Sequence, residues 1–137
     1  MKAYHGCALW NALKLVTAIE SQQAGLKGLS FDATDTPERA TRYANAQATG
    51  EADLSLTQEL ATYGAVIEVD VPEREWWGRG ENYIGSLDAV ERSFKITEAR
   101  VVRVIVRPTA HRNDSTHRDV SRLRELLGDR LVVLNVV

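Results

Sequence analysis

Two periodicities divide the chain into short elements. From Tyr63 to Val71 the apolar residues Ala65, Ile67, Val69 and Val71 alternate with Glu68 and Asp70, which predicts a half-buried strand stopped by Pro72. From Arg100 to Arg107, Val102, Val104 and Val106 alternate with Arg103 and Ile105, a second strand ended by Pro108. Lys2 to Cys7 reads as a short strand, and Leu131 to Val137 as a final, very apolar one. Helical spacing replaces alternation from Leu9 to Ala24, where Leu9, Leu13, Val16 and Ile19 recur before Gly25. Thr36 is a good N-cap with Pro37 at the first helical position, opening a helix to about Ala48 that carries Ala40, Tyr43, Ala44 and Gln47 on one face. Asp114 to Leu127 reads as a helix closed by Gly128, and Asp53 to Ala61 as a shorter one. Gly25 to Phe31 reads as a turn and short strand, and residues 73–85 as a long ordered loop carrying Trp76, Trp77 and Tyr83.

Few, short strands with irregular connections suit an α+β fold with an antiparallel or mixed sheet better than a doubly wound one. A chain of 137 residues, 44% of them hydrophobic, can bury one core, so residues 1–137 are expected to form a single domain. No apolar run reaches the roughly 18 residues of a membrane span. Met1-Lys2 leads straight into the first strand, so no signal peptide is expected, and the single cysteine suits a reducing, cytoplasmic compartment.

Charge is uneven: residues 1–91 hold 7 Lys/Arg against 14 Asp/Glu, and residues 92–137 hold 10 against 5. The basic C-terminal third could face an anionic partner, or its arginines could pair with the acidic part. His5, His111 and His117 show no metal-ligand spacing, and no Gly-rich loop opens a helix, so neither a metal nor a Rossmann or P-loop nucleotide site is expected.

The candidate chemistry lies in two cassettes. Tyr4-His5-Gly6-Cys7 ends the first strand. Gly28-Leu29-Ser30-Phe31 then precedes Thr36-Pro37-Glu38-Arg39-Ala40-Thr41-Arg42-Tyr43-Ala44. In this order, and followed by the 66–72 strand, they resemble the ADP-ribosyltransferase superfamily, in the branch related to poly-ADP-ribose polymerases and diphtheria toxin. The resemblance covers about Ala3 to Pro108 and implies a split two-sheet core of short, mainly antiparallel strands with flanking helices. It also implies NAD as substrate, cleavage of the nicotinamide–ribose bond, and transfer of ADP-ribose to an acceptor.

Carried over by position, the resemblance assigns His5 to the adenosine-side ribose hydroxyl and the Gly6 backbone to the nicotinamide amide, with Cys7, Ser30 and Phe31 beside them. Tyr43 would stack on the nicotinamide ring. Cys7 stands where relatives have threonine, and Ser30 where many have a stacking tyrosine. The catalytic carboxylate of the family lies at the start of a late strand. Glu91 occupies that location, with Asp88 and Glu81 as alternatives. A carboxylate there would favour the positive charge that develops on the ribose, as in glycoside hydrolysis.

The acceptor is left open between protein, DNA, RNA and a small molecule, with the basic C-terminal third and the Trp76/Trp77 loop as candidate contacts; water as acceptor would make the protein an NAD hydrolase. A toxin, a phage-encoded modifier and a detoxifying enzyme all fit. Two other readings stand beside this one. The first is a catalytically inactive nucleotide- or partner-binding module of the same fold. The second is an RNA 2′-phosphotransferase, which would depend on Arg100, Arg103 and Arg112.

Overall fold

The computed structural model describes residues 1–22, 29–44, 63–78, 90–108 and 114–134. The strands are β1 (Lys2–Ala8), β2 (Ser30–Thr34), β3 (Tyr63–Asp70), β4 (Trp77–Gly78), β5 (Val90–Lys95), β6 (Arg100–Pro108) and β7 (Leu131–Val133). The helices are α1 (Leu9–Ser21), α2 (residues 37–44) and α3 (Asp114–Leu127). The strands form one mixed sheet in the order β4-β5-β2-β1-β3-β6-β7, antiparallel except for the β6–β7 pair. This is the α+β class expected. The segment Asp53 to Ala61 and residues 45–48 of the second predicted helix lie outside the described residues, as does Gly25.

Sequence alternation sorts the two faces. Ala3 and Cys7 of β1, Ala65, Ile67 and Val69 of β3, and Val104 and Val106 of β6 join one core beneath α1 and α3. α1 contributes Leu9, Ala12, Val16 and Ile19, all buried, while Leu13 is only partly covered, so alanine holds the seam where leucine was expected. Leu123 and Leu127 close the core from α3, and Gly128 ends that helix at φ 56°, a left-handed backbone that glycine adopts without strain.

On the other face α2 packs Ala40 and Ala44 against Val66, beside Tyr4. Its start is as predicted, since the Arg39 amide donates to Thr36 Oγ1 at 3.3 Å.

Two expectations need correction. The register slips between Glu68 and Val69, so that Glu68 faces Arg103 while Val69 faces Val101. The extra residue at this bulge turns Val101 into the core and leaves Val102 half-buried, reversing the parity read from alternation. Glu68 is not an outward polar residue of a half-buried strand. It is 3% exposed and ion-paired to Arg103 at 2.6 Å and Lys2 at 3.4 Å. In addition, β2 begins at Ser30 and runs past Phe31 to Thr34, and β7 is described as a strand only to Val133.

The sheet consists of two halves. β1 and β3 share seven consecutive registered pairs, and β2 and β5 share five. Between β1 and β2 a single pair, Tyr4 with Thr34, is in register.

Candidate active site

The candidate groups gather where the two halves diverge. A ladder continued from Tyr4–Thr34 would set Gly6 opposite Asp32. Instead the His5 side chain reaches across, and its Nδ1 lies 2.5 Å from the Asp32 carbonyl oxygen. A carbonyl can only accept, so Nδ1 carries the hydrogen, and in the neutral ring Nε2 is left as an acceptor. The ring also stands edge-on to Phe31, with centroids 5.8 Å apart. Burial holds the His5 pKa below its ordinary value, and outweighs the Asp32 carbonyl bond and the negative charges of Asp32 and Glu91, which favour protonation. The neutral form of His5 is therefore favoured relative to an ordinary histidine.

Glu91 reaches the same region through strand pairing. It is the second residue of β5, 7% exposed, and its register partner on β2 is Thr34. Thr34 in turn is the partner of Tyr4, and Glu91 is the partner of Trp77 on the other side. Tyr4, Thr34, Glu91 and Trp77 thus form one row across four strands. Directly opposed residues on antiparallel strands share a face, with Cβ atoms about 4.5–5.5 Å apart. The row sets the carboxylate-bearing position two strands from Tyr4, on the face that α2 covers. The neighbouring His5 has the parity of Ala3 and Cys7, and its ring meets Phe31. The Glu91 charge nevertheless acts on the His5 ring.

The other assigned residues divide. Gly6 lies under α2: a Cβ built there would fall 1.7 Å from the Ala40 carbonyl oxygen and 3.0 Å from the Ala44 nitrogen. Glycine is required at this position by helix packing, a reason distinct from the close ligand approach expected from the sequence. Tyr43 is half-buried on α2, next to Ala44, so the same seating brings its helix to the Gly6 strand.

Cys7 and Phe31 turn their side chains into the core, and Phe31 bridges His5 to Phe94. Ser30 is not gathered with the rest. It is exposed at the far end of β2 opposite Lys95, four residues and roughly 13 Å along the strand from Thr34. Asp88, Glu81 and Tyr83 lie outside the described residues.

Trp76 is a core cap. Its ring meets Phe94 edge-on at 6.1 Å, and Arg74, paired with Glu98 at 2.6 Å, lies over the same phenylalanine. Trp77 opens β4, and its side chain lies outside the described residues. Some of the basic C-terminal third is taken up internally. Arg103 pairs with Glu68, and Arg130 pairs with Glu20 and donates to the Val101 carbonyl. Arg112 lies outside the described residues. A surface cavity of about 550 Å³ around Arg100 and Arg130 lies apart from the split and is lined by none of His5, Tyr43 and Glu91.

Sequence reasoning missed Thr34 and the Asp32 carbonyl. Nothing in the sequence marks a backbone acceptor. Thr34 follows an alternating polar run, Ser30, Asp32, Thr34, which reads as a solvated face until its partners are known.

Among the described residues no group of three or more His, Cys, Asp or Glu is arranged to hold a metal, and no helix is long and apolar enough to cross a membrane. Compared with family models, curated proteins and solved structures, the chain matches none.

Proposed function

We propose that the protein is an NAD-dependent ADP-ribosyltransferase whose site lies in the split between β1 and β2. The observation that carries this reading is the register row Tyr4–Thr34–Glu91, which brings the strand of the first cassette to the buried carboxylate. The division into halves joined by one pair also accords with the split core that the resemblance implies.

In this reading the neutral His5, fixed through Nδ1 by Asp32, accepts a ribose hydroxyl hydrogen bond at Nε2. Tyr43 stacks on the nicotinamide ring. As the nicotinamide bond breaks, positive charge grows on the ribose, and the Glu91 carboxylate stabilises it more than it stabilises bound NAD.

The test is incubation with NAD labelled in its adenosine part, alone and with cell lysate, following nicotinamide release and the fraction that acquires label. Release with transfer to protein, nucleic acid or a small molecule identifies the acceptor; release without transfer marks a hydrolase. Tight NAD binding without release would sink the transferase reading in favour of a binding module.

A further inference from the structure

We infer that Thr34 is the positioning residue that sets His5 and Glu91 against each other across the split. The inference rests on the ADP-ribosyltransferase reading for its catalytic consequence, and on strand geometry alone for the placement.

Thr34 is the residue at which the two halves of the sheet are in register, with Tyr4 on one side and Glu91 on the other. It is also one of few polar residues in the described interior, at 3% exposure. Its hydroxyl lies 3.1 Å from the Thr36 carbonyl oxygen and 3.4 Å from the Tyr4 carbonyl oxygen. Both partners are acceptors, so the single hydroxyl hydrogen is shared between the turn into α2, at the shorter distance, and the β1 backbone. Two residues earlier on the same strand, Asp32 holds the His5 ring. A short stretch of β2 therefore fixes the histidine through Asp32 and opposes the glutamate through Thr34. Removing the hydroxyl loosens the one registered crossing, and both groups lose their common reference.

The test compares Thr34→Val, which keeps the shape and removes the hydroxyl, with Thr34→Ser, which keeps the hydroxyl. Two readouts are used: nicotinamide release from NAD, split into kcat and KM, and the titration of His5 followed by NMR of its ring protons. Thr34→Val is expected to lower kcat about 10- to 100-fold with a smaller change in KM, as misplacement of reacting groups does. The same variant should return the His5 titration towards that of an ordinary histidine, as the ring leaves the Asp32 carbonyl and its half-buried position. Thr34→Ser should restore both readouts.

An unchanged His5 titration in folded Thr34→Val overturns the inference, as does a Thr34→Ser variant that behaves like Thr34→Val. If the parent protein releases no nicotinamide, the ADP-ribosyltransferase reading fails, and the titration still decides whether Thr34 places His5. Should Thr34→Val not fold, Thr34→Ala takes its place in the same comparison.

Discussion

The two halves of the sheet are built differently. β1, β3 and β6 form a ladder of long registered runs, with Ala3, Cys7, Ile67, Val69, Val104 and Val106 on the face beneath α1 and α3. β2 and β5 carry Ser30, Asp32, Ser93 and Lys95 at exposed positions, and reach the core mainly through Phe31, Ala33 and Phe94. One half is held by many apolar contacts spread along its strands, with its tightest point where Gly6 meets α2. The other is smaller, hangs on two aromatic rings, and meets its neighbour at one registered pair. The candidate chemistry sits on the border, where a change of a few tenths of an ångström costs little in stability and much in alignment.

The sharpest way to break this picture is Glu91→Gln. It keeps shape and removes charge, so turnover should fall about 100- to 1,000-fold while NAD affinity scarcely changes. Steady-state nicotinamide release and NAD titration separate the two, and a loss confined to affinity would remove Glu91 from the transition state. His5→Ala should weaken NAD binding by about one to two orders of magnitude, as loss of a polar contact worth about 1.5–3 kcal/mol would. A folded variant with wild-type affinity would take His5 out of the site.

Gly6→Ala tests the joint between β1 and α2. The new Cβ meets backbone, which cannot rotate away, so destabilisation of about 1–3 kcal/mol or more is expected in denaturant unfolding. A neutral result would mean that α2 is not seated there.

Titration gives a smaller effect. The pKa of folded His5 is lowered by burial, whereas the unfolded residue titrates near 6.5. As pH falls below about 6.5 the unfolded chain takes up the proton first, so stability drops until the folded residue is also protonated, and then levels. His5→Ala should remove this contribution from the difference between the two pH–stability curves. The bulge is tested by the pair Val101→Ala and Val102→Ala, through the difference between them. The first deletes buried methyl groups and should cost about 2 kcal/mol, the second less than about 1 kcal/mol. The reverse order would place the bulge elsewhere.

Much of the stronger half was legible in the sequence, because strand alternation and the Thr36-Pro37 start depend on local chemistry. The Val101/Val102 parity was not, since a bulge is set by how two strands meet and leaves no mark on one of them. Glu68 looked like an outward residue for the same reason: its burial depends on Arg103 and Lys2 arriving from other strands. The candidate site was legible as residue types, His5 and Glu91, through the order of the cassettes. Their relation was hidden, because it runs through Thr34 and the Asp32 carbonyl, which only strand pairing reveals.

The seating of α2 also has a kinematic consequence. The helix follows β2 in the chain, yet its backbone rests on Gly6 and Gly64, one from each of two strands in the opposite half. Side chains can adjust at a normal packing contact, but here main chain meets main chain, and the joint has little slack. The helix that carries Tyr43 is therefore seated on the strand of Gly6, while Glu91 lies on the half across the split. Any widening of the split would keep Tyr43 with Gly6 but would break the bond between His5 and the Asp32 carbonyl, which crosses from one half to the other.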